Sequence, residues 1–345
     1  MFDHAKQFRD QVVWCERLGS PFTAALLAHG ADHFEEIAHL FAFKDDWWAG
    51  DASALRFAGA LNAAAISGRA PELSALYPPA RAEWDIAQIW RAALAAIARE
   101  PEWYSAFMHQ APQTNETRRS IALLPAFVAA AEGGGPLHMR EVGASAGLNL
   151  NWDRFAYRTQ SWAREGAPNA PVIDTDWRGA PLNAPALNIA SRAGCDVHPL
   201  DVRDPAQRLR LKSYIWPDQT ERVARFERAA DLAIAHDVRA VQADAGAWLE
   251  AQLAGPPPEG VTIIYHSVAW QYFPKETDLR AKAAIAAFGA QATPQRRVAW
   301  VRFEHDKFLG YAGDDYTVDL AMWPGDGAPH VIAKVDPHVR WVSVV

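Results

Sequence analysis

The sequence has little cysteine, no long apolar run and a modest share of charged residues. Its 345 residues include two cysteines, Cys15 and Cys195, which lie far apart in the chain. That number excludes a disulfide framework and a CxxC metal or redox pair, and it favours a reduced, cytoplasmic location. The longest apolar run, residues 121–131, contains Pro125 and is too short to span a bilayer. The first ten residues lack the apolar core of a signal peptide, so we expect neither export nor membrane insertion.

Acidic residues outnumber basic ones, 41 to 34, which gives a formal net charge of −7. A protein that binds nucleic acid or an anionic membrane generally needs a positive field, so this balance argues against both partners. Half of the residues are hydrophobic and 22% are charged, which supplies a buried core and excludes a disordered chain. We therefore expect a globular protein with a small-molecule substrate, and the sequence indicates no oligomeric state.

The first part of the chain is predicted to be helical throughout. Apolar residues recur three and four positions apart, and alanine and leucine are frequent, in the segments 21–41, 53–67, 84–100 and 116–132. The tract Gly133–Pro136 then breaks this pattern. The sequence therefore predicts an all-helical cap domain over residues 1–132 and a second domain over residues 133–345.

The second domain alternates strand patterns with helix patterns. Strands are predicted at 137–142, within 191–200, and at 238–243, 261–266 and 297–303. Two more strands, 316–323 and 330–335, flank the turn sequence PGDGAP and predict an antiparallel hairpin. Residues 151–187 are rich in Pro, Trp and Asn and are predicted to be an insertion. The predicted fold class is therefore α/β, with a Rossmann-like, doubly wound and mostly parallel sheet that ends in a hairpin.

A glycine-rich loop follows the first predicted strand, in the segment LHMREVGASAGLNL at 137–150. Glu141 lies near the end of the strand, and Gly143, Ser145 and Gly147 follow it. Glycines at a strand-to-helix turn let the backbone approach a ligand, and a helix N-terminus offers free N–H groups. The spacing E-x-G-x-S-x-G resembles the first motif of class I S-adenosylmethionine-dependent methyltransferases, with Ser145 where the middle glycine often stands. The resemblance implies that these four residues bind S-adenosylmethionine, and a simple strand-turn-helix is the alternative.

Two later acidic residues fall where a methyltransferase would need them. Asp196 lies at a predicted strand end in G-x-D-x-x-P, which resembles the second methyltransferase motif, whose acid accepts hydrogen bonds from both ribose hydroxyls. It stands far beyond Gly143 in the chain, an interval that the insertion explains, and Asp201 is the other candidate for this role. Asp244 and Ala245 resemble the adenine-binding motif. Turn formation by Asp196 and helix capping by Asp244 are the structural alternatives.

A polar cluster follows the most apolar predicted strand, in the segment VTIIYHSVAWQYFP at 261–274. Ligands of open parallel sheets bind at the carboxyl ends of the strands, so a catalytic loop is expected here. His266 is the candidate general base, with Tyr272 to orient it and Trp270 to contact the substrate. The alternative is a hydrogen-bonded histidine at the boundary of the core, without a catalytic role.

The segment QTNETRR at 113–119 is polar although it opens a predicted apolar helix. One explanation is that Thr114 or Asn115 caps this helix. The other is that the segment lines the cofactor site, with Arg118 pairing with a ligand carboxylate. We assign Gln113, Asn115 and Asn149 to the substrate site. The run EHD at 304–306, after a predicted strand, could form a metal site with His198 or His266. No residue spacing in the chain matches a known zinc pattern, however, and we expect no metal.

The pentapeptide GASAG also fits G-x-S-x-G, the nucleophile elbow of α/β-hydrolases, with Ser145 as the nucleophile. The Ser-Asp-His order would be completed by Asp314 or Asp315 and by His330 or His338. In that fold the elbow follows several earlier strands, whereas the residues before 136 are predicted to be helical. A serine hydrolase and a non-catalytic S-adenosylmethionine-binding protein are therefore the alternatives to a methyltransferase.

Four segments spread over the chain resemble one bacterial family, and these are EVGASAGLNL, QTNE-x-x-R, WPDQ at 216–219, and SVAWQY followed by Pro274. The family, of uncharacterised proteins, is called domain of unknown function 2332, and the likeness covers nearly the whole chain. It implies no particular reaction. The resemblance to class I methyltransferases covers residues 137–345 and supplies the functional prediction, which is methyl transfer from S-adenosylmethionine to an acceptor that the sequence does not identify.

Overall fold

The computed structural model describes residues 2–183 and 185–345, so Ala184, within the predicted insertion, lies outside the described residues. The chain forms two compact units. The first comprises the chain up to Thr114 together with residues 203–224, and the second comprises residues 115–202 and 225–345. The division thus falls before the helix that ends the predicted cap domain, and a later segment of the chain returns to the first unit.

Helices occur in both units. Their bounds are α1 His4–Arg17, α2 Pro21–Asp32, α3 Ser53–Ile66, α4 Pro71–Leu76, α5 Ile86–Arg99, α6 Pro101–His109, α7 Arg119–Ala131, α8 Pro205–Ser213, α9 Thr220–Ala235, α10 Ala245–Gln252, α11 Lys275–Gly289 and α12 Asp306–Leu309. Of the described residues before Leu137, none lies in a strand, and the predicted helical N-terminal region is confirmed. Within the described ranges, no helix is both long and apolar enough to cross a membrane.

Strands occur in the second unit. Their bounds are β1 Leu137–Val142, β2 Ala156–Arg158, β3 Ala163–Arg164, β4 Val172–Asp174, β5 Asp176–Arg178, β6 Ile189–Asp196, β7 Val241–Gln242, β8 Gly260–Ser267, β9 Arg296–His305, β10 Tyr316–Trp323, β11 His330–Val335 and β12 Trp341–Val344. Nine of them form one sheet in the order β5-β12-β11-β10-β9-β8-β1-β6-β7. Neighbouring strands in the part of the sheet formed by β9, β8, β1, β6 and β7 pair in parallel. In contrast, β10, β11 and β12 each pair antiparallel with the strand before them in the chain. The expected α/β class with a mostly parallel sheet is confirmed.

In the first unit, α3 is the most deeply buried helix, because its sequence consists almost entirely of alanine and other small or apolar residues. Gly59 lets the ring of Tyr214 approach, since a Cβ at this position would lie 2.5 Å from that ring. Asn62 donates from Nδ2 to the carbonyl oxygens of Ser213 and Ile215, at 2.9 and 3.0 Å. The returning segment is therefore an integral part of the first unit.

In the second unit, helices pack on both faces of the sheet. The ring of Phe127 in α7 contacts Tyr265 in β8, with the ring centroids 5.1 Å apart. The neighbouring residue, Ile264, belongs instead to the core that contains Trp248 of α10 and Ile285 of α11. Consecutive strand residues point to opposite faces, so α7 covers one face and α10 with α11 covers the other. All eight residues of β8 are buried, as its continuous apolar run predicts.

The predicted insertion, residues 151–187, contains more regular structure than the sequence suggests. β2, β3 and β4 form a separate three-stranded sheet, and β5 pairs in parallel with β12 at the edge of the main sheet. Each of these four strands in the insertion has only two or three residues. So short a strand shows no alternation of apolar and polar residues, which explains why the sequence pattern did not reveal them.

Candidate functional site

Parallel pairing brings several of the predicted site residues to one edge of the sheet in the second unit. β1 lies between β6 and β8, and all three run in the same direction. Glu141, Asp196 and His266 each lie at or near the carboxyl end of one of these strands. Asp244 follows β7, the next strand beyond β6. This edge is the place where open parallel sheets bind ligands.

The glycine-rich loop has the backbone conformation that its sequence predicts. Gly143, Ser145 and Gly147 have φ values of 68°, 53° and 71°, in the left-handed region that favours glycine. A Cβ at Gly143 would overlap the Cβ of Ala269, so the loop approaches the segment after β8 very closely. Ser145 stands where the methyltransferase motif often has its middle glycine, and it adopts a backbone conformation that glycine would adopt without strain.

The carboxylate of Asp196 holds this loop in place. Its Oδ2 accepts a hydrogen bond from the backbone N–H of Ser145 at 2.8 Å, and its Oδ1 accepts from that of His198 at 2.9 Å. An ionised carboxylate has about four acceptor positions, so two remain for other donors. Asp196 therefore ties the loop after β1 to the turn after β6 and keeps the capacity to bind a diol.

Glu141 is a buried acid that is hydrogen-bonded to a tyrosine. Its side chain is 2% exposed, and Oε2 accepts a hydrogen bond from the hydroxyl of Tyr265 at 3.2 Å. Burial raises the pKa of Glu141 to about 8, although the Tyr265 hydroxyl and the charge of Arg119 oppose this shift. At neutral pH the carboxyl group is therefore largely protonated and can donate a hydrogen bond.

Hydrogen bonds join the segment before α7 to the residues that follow the glycine-rich loop. Asn115 accepts at Oδ1 from the backbone N–H of Leu148 at 2.9 Å, and Asn149 donates from Nδ2 to the carbonyl oxygen of Glu116 at 3.2 Å. Asn115 and Asn149, both predicted to contact substrate, therefore make structural bonds with the residues around the loop. Gln113, the third predicted substrate residue, belongs to the first unit.

The role predicted for Arg118 requires a correction. Its Nη2 donates to Oδ1 of Asp174 in β4 at 2.8 Å, so this guanidinium is engaged by a protein carboxylate. The next residue, Arg119, donates from Nη1 to the carbonyl oxygen of Ser267 at the end of β8, at 2.7 Å. α7 begins between these two residues, so their side chains leave the backbone in different directions. Arg119, which the sequence analysis passed over, is a cation that contacts this edge of the sheet.

His266 is paired with Glu304, an acid that the sequence analysis considered beside it only as a possible metal ligand. Nδ1 of His266 lies 2.8 Å from Oε1 of Glu304 in β9, and both side chains are 1% exposed. Tyr272 was predicted to orient His266, and that prediction is corrected, because Tyr272 is 71% exposed and Glu304 makes the orienting bond. Trp270 does lie beside His266, with ring centroids 4.6 Å apart, and its indole N–H donates to Asp278 at 2.6 Å.

The predicted site residues do not form a single cluster. Glu141 and Tyr265 pair in register and share the face that α7 covers. His266 follows Tyr265 in β8, so it points to the opposite face, where it meets Glu304. The two groups approach each other at the sheet edge, where Ala269 contacts the glycine-rich loop.

Asp244 and Ala245 lie at the start of α10. Asp244 caps this helix, since its Oδ1 accepts from the backbone N–H of Ala247 at 3.0 Å. Its Oδ2 accepts from the hydroxyl of Thr277 in α11 at 2.5 Å. Capping is thus one role of Asp244, and the carboxylate keeps acceptor positions for a further donor.

Several buried polar atoms near this edge have no hydrogen-bond partner among the described residues, as do others elsewhere in the chain. Those near this edge include Nε of Arg119, Oγ of Ser145, Oδ1 of Asn149, Nε2 of His266, Nε1 of Trp300 and Oε2 of Glu304. Most buried polar groups in proteins are paired, and an unpaired one generally marks a place for water or a ligand. Together with the strand ends and the glycine-rich loop, these atoms support the choice of this edge as the candidate site.

The histidines proposed for a serine hydrolase lie far from Ser145. His330 begins β11 and His338 follows it, and β11 lies four strands from β1 in the sheet. Neighbouring strands are about 4.8 Å apart, so this separation is roughly 19 Å. Ser145 is 6% exposed, and its hydroxyl has no hydrogen-bond partner among the described residues. Nothing in this arrangement would activate Ser145 as a nucleophile.

Comparison with known proteins identifies the family. Residues 5–344 match the family model described as "Uncharacterized protein conserved in bacteria (DUF2332)", so the chain belongs to this family. This confirms the resemblance to domain of unknown function 2332 found in the sequence. No curated protein and no solved structure matches the chain.

Proposed function

We propose that this member of the DUF2332 family is a Rossmann-like methyltransferase that uses S-adenosylmethionine and a small-molecule acceptor. The observation that carries the proposal is the order of the parallel strands. Numbered along the chain, the five strands β1, β6, β7, β8 and β9 lie in the spatial order third, second, first, fourth, fifth. In doubly wound sheets of this order the ligand binds at the carboxyl ends, where the strand order reverses beside the first strand.

The residues at this position have the properties that the cofactor requires. Gly143 and Gly147 bring the backbone of the loop close to the space above β1 without side chains of their own. Asp196 has acceptor positions left for the two ribose hydroxyls, and Asp244 has them for the amine of adenine. Ser145 adds a buried hydroxyl without a partner among the described residues. The residues present therefore fit S-adenosylmethionine.

The cofactor supplies a methyl group on a positively charged sulfur. The residues of this chain then need only to align an acceptor with it and, for a weakly acidic acceptor, to remove a proton. His266 is the residue that we assign to proton removal, because it is a titratable group at the end of β8 with an oriented ring. Arg119, held by the carbonyl of Ser267, places a positive charge near the same strand end.

A non-catalytic S-adenosylmethionine-binding protein is the second candidate. The observation that favours it is the burial of His266, whose side chain is 1% exposed. A base that no substrate can reach would not catalyse transfer. Both candidates share the binding site, and they differ only in whether an acceptor is methylated. The two free, buried cysteines support a cytoplasmic location for either candidate.

Isothermal titration calorimetry of the full chain tests the binding site. We expect S-adenosylmethionine and S-adenosylhomocysteine to bind in the micromolar range typical of metabolite sites, and methionine alone to bind far more weakly. ATP is the matched control ligand, because it shares the adenosine group and lacks the amino-acid group. If neither S-adenosyl ligand gives heat or a thermal shift at millimolar concentration, both candidates are excluded. Formation of S-adenosylhomocysteine with an added acceptor then separates the enzyme from the binding protein.

A further inference from the structure

We propose that Glu304 positions His266 so that Nε2 of its ring accepts the proton of an aromatic hydroxyl on the acceptor, an inference that rests on the proposed function. The two residues lie on adjacent parallel strands, His266 near the end of β8 and Glu304 near the end of β9. Their side chains are joined at 2.8 Å and are almost completely buried. Glu304 is a positioning residue in this scheme, and His266 is the catalytic residue.

The hydrogen bonds of Glu304 define which ring nitrogen of His266 carries the proton. Oε1 of Glu304 accepts from the backbone N–H groups of Ala269 and Trp270, at 2.8 and 2.9 Å, and also contacts Nδ1 of His266. Backbone N–H groups are donors only, so Oε1 is the acceptor of this cluster and Nδ1 is its third donor. In a neutral ring the other nitrogen, Nε2, then has a free lone pair. Glu304 therefore makes Nε2 the base.

The surroundings of Nε2 indicate the chemical class of the group that it meets. Nε2 of His266 is buried and has no hydrogen-bond partner among the described residues, so it is a hydrogen-bond acceptor that lacks a donor. Nε1 of Trp300 is a donor in the same condition, and the two rings have centroids 6.2 Å apart. A hydroxyl donates one hydrogen bond and accepts others, so it can satisfy both atoms. With Trp270 on His266 as well, the site favours a hydroxyl on an aromatic ring.

The segment that covers His266 is held in a strained conformation. Val268, the first residue after β8, has a φ of 52°, which is a costly conformation for a β-branched residue. The next two residues, Ala269 and Trp270, are fixed by Glu304. Because His266 is almost completely buried, this segment must open before an acceptor can reach Nε2. Glu304 thus holds both the base and the segment that covers it.

Nitrogen-15 NMR of the full chain, labelled in histidine, tests the role of Glu304. The signal of His266 is the one that disappears in His266→Asn. We expect a proton on Nδ1 in the wild type and in Glu304→Gln, whose amide oxygen can still accept, and loss of that preference in Glu304→Ala. The matched control is Asp314→Asn, since His305 and Asp314 form an exposed pair at 3.1 Å and the His266 signal should not change. A wild-type proton on Nε2 would overturn the proposal.

Phenol and anisole are the probes that test whether the methyl acceptor carries an aromatic hydroxyl. Phenol should shift the Nε2 signal of His266, and anisole, which has the same ring but no proton to donate, should bind about tenfold more weakly or not at all. Equal shifts from the two probes, or no shift from phenol, would overturn the aromatic hydroxyl. If Glu304→Ala does not fold, the wild type and Glu304→Gln still decide the tautomer. Neither measurement contains S-adenosylmethionine, so failure of the proposed function is detected separately by calorimetry.

Discussion

The backbone N–H of Ser145 donates to the carboxylate of Asp196 at 2.8 Å, which joins the loop after the first strand to the end of the second. The acid expected to hold the ribose is therefore also a structural part of the glycine-rich loop. The two roles are compatible, because each carboxylate oxygen can accept more than one hydrogen bond. The consequence is that a substitution of Asp196 should alter both the proposed ligand contact and the order of the loop.

Asp196→Ala should weaken the binding of S-adenosylmethionine by about a hundredfold or more. Two charge-assisted hydrogen bonds to the ribose would be lost, each on the order of 1.5 to 3 kcal/mol. The free energy of unfolding should also fall, since the N–H groups of Ser145 and His198 lose their acceptor. Calorimetry measures the first effect, and urea unfolding measures the second.

Asp201→Ala is the control for this prediction. The Asp201 carboxylate lies 4.0 Å from Nη1 of Arg239, beyond the strand end that Asp196 occupies. We expect this variant to bind S-adenosylmethionine as the wild type does. If the two variants behave the other way round, Asp201 is the ribose acid. If both bind normally, the methyltransferase alignment after Gly147 is wrong.

Gly143→Ala should destabilise the second unit and weaken ligand binding. Its φ of 68° costs an L-residue about 1 to 2 kcal/mol, and the new methyl group would overlap that of Ala269. Overpacking of this kind adds on the order of 1 to 3 kcal/mol. Urea unfolding of the single variants and of Gly143→Ala/Ala269→Gly forms a double-mutant cycle. The double variant should regain the stability lost to overpacking and should still lack the stability lost to the strained backbone.

Gly310→Ala separates backbone strain from overpacking. Gly310 also has a positive φ, 82°, but a Cβ there would meet no atom within 4 Å. This variant should therefore lose stability only through backbone strain, with no effect on ligand binding. An equal loss in Gly143→Ala and Gly310→Ala, unchanged by Ala269→Gly, would show that the loop and the segment after β8 are not in close contact.

The sequence predicts the parts of this site that depend on local conformation. The glycines of the loop could be found because only a few residue types adopt a positive φ easily, and that requirement is local. The strand end at His266 could be found because a continuous apolar run precedes it, and the one at Glu141 because a glycine-rich loop follows it. The hairpin of β10 and β11 has a turn sequence that is visible without any tertiary information.

The partners of these residues could not be found in the same way. Glu304 acts on His266 only because β9 pairs with β8 in one particular register, and that register is set by packing across the sheet. The sequence showed an acidic residue in a run that follows a strand, which is a common pattern. Likewise, the choice between Arg118 and Arg119 depends on the residue at which α7 begins, and helix boundaries are the least predictable feature of a sequence.

Glu141 should make the stability of the protein depend on pH. Its folded pKa of about 8 lies above the ordinary value of 4.5, so the folded state holds the proton more tightly than the unfolded state. The contribution is fully present below about pH 4.5 and is lost as the pH rises through about 8. The difference corresponds to roughly 5 kcal/mol. Urea unfolding between pH 5 and pH 9 should show this fall in the wild type and not in Glu141→Gln.

The control for the pH experiment is Glu165→Gln, which changes an exposed glutamate in the same unit. Its stability should follow that of the wild type across the pH range. If the wild type and Glu141→Gln lose stability in parallel between pH 5 and pH 9, another group causes the dependence, and Glu141 is ionised in the folded protein.

Ser145→Gly should raise the free energy of unfolding by about 1 kcal/mol and keep the affinity for S-adenosylmethionine within about tenfold. Glycine adopts the φ of 53° without strain and removes a buried hydroxyl that has no partner among the described residues, and these gains exceed the added entropy of the unfolded chain. Ser161→Gly, at an exposed bend, should bring no such gain. A fluorophosphonate should not label Ser145 in the wild type, because in the described part of the chain no histidine is hydrogen-bonded to its hydroxyl. Stoichiometric labelling of Ser145 would contradict the methyltransferase assignment and restore the serine hydrolase.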